Sequence, residues 1–538
     1  MVELIIKYMG DIEATAERLG AGLEILSPSI AILTIDEASL GLLSDFPQIE
    51  YYELPKNVAL FMAESLYHAC IPEARESFGL RGDGVIVAFL DSGIDYTHPD
   101  FRNADGTTRI IALWDMTASG TPPAGFRNGH LFTPDEINAA LLGASPALPH
   151  TDYIGHGTAV AGVAAGNGRA SNGLETGIAP NAAIIAVKLG QPGRETGART
   201  IELMRGLKFV SDLAAYENKP VAINISYGTN EGAHDGNSLF EQYINEIAAR
   251  PKVTIIAAAG NEGVAGHHYF GLLATGQTDA VYFNVSGGVF SMYMVILKDF
   301  ADRFTFRLTS PTGQTTNIIR NTTRPQVFGV DGGFIWVNMG IPTHYSVNQE
   351  IYIRFDGDGE EITPGLWRLD ILSLETVADG AFHAWLPTTE EVTAKTAFAG
   401  PNPNGTITMP ATANGVIAVG AYNAAFDAAA EFSGRGRTAQ KPDIVAPGVN
   451  IISARAGGGY DSFTGTSVAA PFVTGATALL MEWGIVNEND PGLYGEKIKA
   501  FLRAGATRRS FRNYPNNIWG YGTLCLRDTL KRLQEVQS

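Results

Sequence analysis

GVIVAFLDSGID, residues 84–95, decides the fold of this chain. Val85 to Leu90 is an unbroken apolar run rich in β-branched residues, which marks a strand buried on both faces. It ends in Asp91, a carboxylate at the point where open α/β sheets form their crevice. Further runs of the same kind follow: AAIIAVKL at 182–189, VAINIS at 221–226, VTIIAAA at 253–259, GVIAVGA at 415–421 and DIVAPG at 443–448. Helical stretches separate most of them, and alternation of buried strands with helices predicts a parallel sheet covered on both sides, a doubly wound α/β core.

Outward from this core the pattern changes twice. Residues 1–58 read as a small α+β unit in the order βαββαβ: strands at Val2–Tyr8, Gly22–Leu26 and Ile30–Ile35, a helix at Asp11–Leu19, a second helix in EASLGLLSDF, and a last strand in IEYYELPK. Residues 57 to 80 show no clear period and read as a linker. From Gly266 to Ala399, segments such as VYFNVSG, RFTFRLTS, FIWVNMG, EIYIRFDG and LWRLDILS alternate apolar with polar residues between turns, which predicts an antiparallel all-β insertion, a sandwich or jelly roll. The expected organisation is therefore residues 1–58, then a core of 59–265 and 400–538 interrupted by 266–399.

Composition bounds the function. The chain has 538 residues, enough for about three to four domains at roughly 150 residues each. Its formal charge of −18 gives no electrostatic basis for phosphate-backbone binding, so nucleic acid is not an expected partner. Cys70 and Cys525 are the only cysteines; they are too few for a disulfide framework or a cysteine zinc site and read as buried free thiols. With no eighteen-residue apolar run and no basic, apolar and cleavage-site sequence at the start, neither a membrane span nor secretion is expected.

Three segments supply the groups of nucleophilic catalysis in the order Asp91, His156, Ser467. His156 lies in GHGTAVAGVAAG and Ser467 in FTGTSVAAPFVTGATALL, where Pro471 suits a position near a helix start. A serine is a weak nucleophile at neutral pH. It needs an imidazole to accept its proton and a buried carboxylate to hold that imidazole in the right tautomer. Attack on a carbonyl creates an oxyanion, and Asn261, in AAAGNEG after a strand, offers a side-chain NH2 beside the Ser467 backbone N–H.

These motifs resemble those of the subtilisin-like serine proteases: DSGID at Asp91, GHGT at His156, AAAGNEG at Asn261 and GTSVAAP at Ser467. The resemblance implies a serine endopeptidase with Asp91, His156 and Ser467 as catalytic residues and Asn261 with Ser467 as the oxyanion hole. It also implies a substrate-binding edge at Ser226, Tyr227, Gly228 and Gly260, on which an extended peptide adds as a strand. Residues 1–58 then resemble an inhibitory prodomain that remains a partner, with self-cleavage expected between Asn57 and Leu66. A prodomain together with a β insertion is similar to the clostridial Csp-type germination proteases, in which a jelly roll locks the catalytic domain and some members are silent signalling proteins. The implied setting is cytoplasmic or spore-associated; the competing reading is a non-catalytic receptor or scaffold. No cofactor is required. Calcium enters only because Asp100 matches a family ligand, while the loop NGRASNGLETG departs from the ligand-bearing one. Activity should rise with pH around a midpoint of about 6 to 7 as His156 loses its proton. His98 should only pack or hydrogen-bond, His267 and His268 mark the start of a loop rather than a metal site, and DGDGEE at 356–361 is a solvated turn.

Overall fold

The computed structural model of this chain describes residues 2–53, 64–191, 198–373, 375–392 and 395–537, in two compact units, Met1–Phe61 and Met62–Ser538. In the first unit four antiparallel strands lie in the order Gly22–Ser27, Ile30–Ile35, Val2–Tyr8, Ile49–Glu53. Helix Ile12–Leu19 starts where the Asp11 side chain accepts the Ala14 N–H and stops at Gly20, whose φ of 62° few other residues adopt at low cost. Leu4, Ile6, Ile12, Ala16 and Leu33 form its core. The second expected helix is instead a 3₁₀ helix, Glu37–Asp45, with Gly41 at its centre weakening an α-helical run.

In the second unit, the sheet runs Ala428–Ala429, Val416–Asn423, Val253–Ala258, Val221–Ile225, Ile86–Asp91, Ala183–Lys188, Ile110–Asp115, His130–Phe132, with Ile444–Pro447 also paired to Val416–Asn423. Pairing is parallel except at the two short edges. Alternate residues of the Ile86–Asp91 strand feed two different cores. Val87 and Phe89 join the helices His156–Ala165 and Thr466–Met481, while Ile86, Ala88 and Leu90 join the helices Thr200–Tyr216 and Leu239–Ala248. The strand Ile110–Asp115 has no counterpart among the apolar runs singled out in the sequence. Helix Thr466–Val486 has the length and hydropathy of a membrane span, but 94% of its apolar window is buried in the protein.

The β-rich insertion folds as two antiparallel sheets. One has six strands in the order His268–Leu272, Ala381–Trp385, Ser291–Asp299, Asn348–Asp356, Gly333–Met339, Gln326–Val330. The other has four, Phe304–Thr309, Gly365–Ser373, Thr278–Val285, Ala397–Phe398, and both contribute to one apolar core.

Two expectations about the start of the second unit need correction. The part of the expected linker that is described is helical, Glu64–His68 and Ile71–Phe78, broken at Cys70 with φ of 54°; two short helices joined by a left-handed residue leave no period to detect. The cysteines are not free thiols. Cys70 and Cys525 form a disulfide across 455 residues, with Cα atoms 4.9 Å apart, joining the Ile71–Phe78 helix to the Leu526–Gln537 helix. A crosslink over so long a loop removes much denatured-state freedom, and we expect its loss to cost about 2–4 kcal/mol. Calorimetry with and without a strong thiol reductant measures this, and an unchanged unfolding midpoint would show that the link adds no stability.

Candidate active site

Asp91, at the carboxyl end of its strand, is 1% exposed. Its Oδ1 accepts the Ser92 N–H at 2.7 Å and the His156 Nδ1–H at 2.6 Å, so His156 is fixed with Nδ1 toward the carboxylate and Nε2 toward the open side. Close approach requires Gly157, because a Cβ there would stand 2.1 Å from the Gly93 carbonyl oxygen and 3.1 Å from Asp91 Cβ. A second Asp–His pair contrasts with it. His150, wholly buried, is bonded at Nδ1 to Asp115 at 2.7 Å and at Nε2 to the Ile94 carbonyl at 3.0 Å, which leaves no nitrogen for a reacting group.

The His156 helix begins under constraint from Asp152 and Ser92, which the sequence reading did not single out. Asp152 Oδ2 accepts the Thr158 N–H and hydroxyl at 2.9 and 2.6 Å, its Oδ1 accepts the Gly155 N–H at 3.0 Å and the Ser92 hydroxyl at 2.8 Å, and Ser92 Oγ accepts the Gly157 N–H at 2.9 Å. These bonds satisfy the orphan donors of the first turn and thereby aim its first residue. The available signal was an acidic residue four positions before His156 in DYIGHGT.

Burial pushes the His156 pKa down, but the charge and hydrogen bond of Asp91, then the charges of Asp152 and Glu390, outweigh it and hold it above the ordinary imidazole value of about 6.5. Neutral His156, the form able to accept a proton, therefore appears above pH 6.5, later than the lower half of the range expected from sequence. The sign for stability is opposite. Protonated His156 stabilises the fold fully below the unfolded-state value, and that contribution fades as pH rises through the folded-state value. A kcat/KM profile should rise through a single midpoint above about 6.5; a flat profile from pH 5 to 9 would contradict an imidazole base.

Ser467 is the second residue of helix Thr466–Met481. Pro471 is not near the helix edge in the ordinary sense; it is the sixth residue, and it removes the N–H that would bond the carbonyl of residue 467. Ser226 takes that role, its hydroxyl donating to the Ser467 carbonyl at 3.0 Å. Ser226 is itself held by the buried Asn224, whose Nδ2 donates to Ser226 Oγ at 2.8 Å and whose Oδ1 accepts the Thr474 hydroxyl at 2.9 Å. A residue read as part of a peptide-binding edge thus also fixes the turn that carries Ser467.

Asn261 Oδ1 accepts the Thr466 N–H and hydroxyl, each at 3.0 Å, and the Thr466 hydroxyl accepts the Gly260 N–H at 3.1 Å. Holding the oxygen fixes the amide so that Nδ2 is the free end. A Cβ on Gly465 would lie 3.7 Å from both Asn261 Nδ2 and the Ser467 nitrogen, so the two donors flank one space. Among the described residues no hydrogen bond joins His156 Nε2 to Ser467 Oγ; in unliganded sites this contact commonly tightens only with substrate.

The β insertion reaches this site. Glu262, next to Asn261, is 1% exposed; its Oε2 is 2.5 Å from His267 Nδ1 and its Oε1 accepts the Thr389 N–H at 3.1 Å. His267 Nε2 is 2.8 Å from the Thr396 carbonyl. His267 therefore has an acidic partner, and the pair ties the two ends of the insertion to the Asn261 loop. His268 opens a strand, 2.9 Å from His383 through its Nε2.

Asp100, the one residue through which calcium was considered, is not arranged to hold the ion. Asp100 is buried with both oxygens engaged, Oδ1 by the Ala170 N–H at 2.9 Å and Oδ2 by the Tyr460 hydroxyl at 2.8 Å, and His98 Nδ1 accepts the Asp100 N–H at 3.2 Å. Among the described residues no three His, Cys, Asp or Glu side chains gather as a metal would need. Among the described residues the backbones of Tyr227 and Gly228 take no backbone partner, whereas Thr229 next to them pairs with Met409. That leaves a short edge on which an extended peptide can add.

Together these groups can take a proton from a hydroxyl at 467, hold the resulting cation and receive an oxyanion. Comparison with known proteins agrees in kind. The model of the subtilase family, Peptidase S8, matches residues 82–285 and 389–522, and that of the Csp protease B prodomain matches residues 1–56. The chain is similar to the solved Clostridium perfringens CspB protease, 37% identical with a TM-score of 0.80 over 88% of this chain and 98% of that one. It is also similar to the major intracellular serine protease of Bacillus subtilis (strain 168), 32% identical over 39% of this chain and 50% of that protein. Subtilisin E of the same strain is 28% identical over 44% of this chain and 50% of that protein. The chain spans about half the length of these two curated relatives.

Proposed function

Because this chain belongs to the subtilase family, we propose that it is a serine endopeptidase that cleaves its own prodomain and then acts by limited proteolysis on another protein, as in spore germination. Ser467 attacks a peptide carbonyl while His156 takes the hydroxyl proton at Nε2. The carbonyl oxygen becomes an oxyanion between Asn261 Nδ2 and the Ser467 N–H, and Asp91 steadies the imidazolium. His156 then returns the proton to the leaving amine, and a water repeats the sequence to release the acyl group.

The observation that carries this reading is the Asp91–His156 hydrogen bond of 2.6 Å in a site where, among the described residues, no hydrogen bond engages His156 Nε2. The match of residues 1–56 to a protease prodomain supports the self-processing part and names the first inhibitory partner. The expected junction between Asn57 and Leu66 falls largely outside the described residues. The germination role rests on the likeness to a Csp protease and belongs to the same proposal. Of the two settings considered, spore-associated suits the Cys70–Cys525 disulfide better than the reducing cytoplasm. A fluorophosphonate should label wild-type protein at Ser467 and leave His156→Ala unlabelled. Equal labelling of both would remove His156 as the activating base.

A further inference from the structure

Three neighbouring parallel strands end level with one another in Asp91, Lys188 and Asp115. The Asp115 and Lys188 side chains are almost wholly buried, and so is His150 beside them. Asp115 Oδ1 accepts the Thr117 N–H and hydroxyl at 2.9 and 2.6 Å; its Oδ2 lies 2.7 Å from His150 Nδ1 and 3.8 Å from Lys188 Nζ. Each basic group makes its other contact on a segment that leads to the reacting groups. His150 Nε2 meets the carbonyl of Ile94, just past Asp91, at 3.0 Å, and Lys188 Nζ donates to the carbonyl of Thr151, just before Asp152, at 2.9 Å.

The fit around these contacts is close. A Cβ on Gly93 would stand 3.1 Å from His150 Cε1 and 3.4 Å from Asp152 Cβ. The Gly93 carbonyl is the atom against which Gly157 packs, and Ser92 accepts the Gly157 N–H. Movement of this loop therefore carries the first turn of the His156 helix with it. Burying three ionisable groups away from the reacting atoms is costly unless they are paired, and here all three are. Burial pushes the Asp115 carboxyl up, but the bonds and charges of His150, Thr117 and Lys188 outweigh it and hold it below the ordinary carboxylate range. Asp115 therefore stays charged wherever His156 is neutral.

We propose that Asp115, His150 and Lys188 form a clamp that sets the separation of Asp91 and His156. Asp115 anchors it, His150 holds the loop leaving Asp91, and Lys188 holds the segment entering His156. All three are positioning residues, and none touches substrate. This rests on the peptidase reading above.

The test is the rate at which a fluorophosphonate labels Ser467 in the full chain, followed from pH 5 to 9. Asp91 raises the His156 pKa through a bond of 2.6 Å, so a looser clamp lowers it. His150→Phe keeps a ring in place and removes both polar contacts. It should slow labelling by about tenfold to a hundredfold and move the midpoint of the pH profile down toward about 6.5. Lys188→Met should do the same, and Lys188→Arg, which keeps the charge and the donor, should recover both readouts. The sign is diagnostic, because loss of a nearby positive charge would by itself move the midpoint up. Asp91, Asp152 and Glu390, whose charges act on His156, are unchanged in every variant. Unfolding curves confine the comparison to folded protein, and if His150→Phe does not fold, the two Lys188 variants decide. A midpoint unchanged or raised in Lys188→Met overturns the proposal whatever the rate. If wild type is labelled and the variants match it, only the clamp fails. If wild type itself is unlabelled, the peptidase reading fails and takes this inference with it.

Discussion

Ser467→Ala should arrest self-cleavage and lower peptide turnover by about a millionfold, a magnitude carried over from subtilisin. The reason lies in the coupling of the site. In the proposed mechanism Asp91 and His156 have one task, to accept the proton of a hydroxyl, and without that hydroxyl the 2.6 Å bond between them activates nothing. What remains is the pair of oxyanion donors, which can still polarise a carbonyl for attack by water. Folding should be untouched. Ser467 is only partly buried, and what holds its turn is its own carbonyl, which accepts the Ser226 hydroxyl and survives the substitution. Single-turnover kinetics and an unfolding curve on the same variant separate the two effects.

Asn261→Ala should cost about a hundredfold to a thousandfold in kcat, near 3 kcal/mol, again the scale known from subtilisin, with little change in KM. The donor is aimed at the place where charge develops, so it acts on the transition state more than on bound substrate. The substitution also removes the acceptor of the Thr466 N–H and hydroxyl, so some loosening of the turn at Ser467 accompanies it. Asn261→Asp keeps that acceptor while losing the NH2, and it should be as impaired in kcat. If Asn261→Ala retained the wild-type kcat, the oxyanion would have to be stabilised elsewhere.

The parallel core was legible because its strands are buried on both faces and therefore read as continuous apolar runs, as Val85 to Leu90 does. Asp91, His156, Asn261 and Ser467 drew attention because DSGID, GHGT, AAAGNEG and GTSVAAP resemble the motifs of a known family, and the structure joins the first two by a 2.6 Å hydrogen bond. What the sequence hid depends on contacts between distant segments. Ser226 bonds Ser467 across 241 positions, and only the geometry shows that Pro471 leaves that carbonyl needing a donor. Cys70 and Cys525 are 455 residues apart, and no local pattern brings them together. Asp152 is a different case: its capping of the helix is a local effect, but its distance of four residues from His156 matches no ordinary cap position. The 3₁₀ helix Glu37–Asp45 shows the limit of composition, since residues that suit an α-helix at one turn do not specify which helix forms when Gly41 interrupts them.

The insertion's contact with the Asn261 loop changes how the site should be pictured. Glu262 and His267, both almost wholly buried, bridge from the Asn261 loop to Thr389 and Thr396, so in the proposed mechanism the insertion is fastened beside the oxyanion donor. A donor that must act without reorganising gains from such support.

The most direct test of this account is the intact mass of the purified wild-type chain beside Ser467→Ala. The account predicts that wild type alone loses the mass of its N-terminal unit, with a single junction between Asn57 and Leu66, while Ser467→Ala stays whole. Cleavage of both at the same bond, or of neither, would contradict self-processing by this serine.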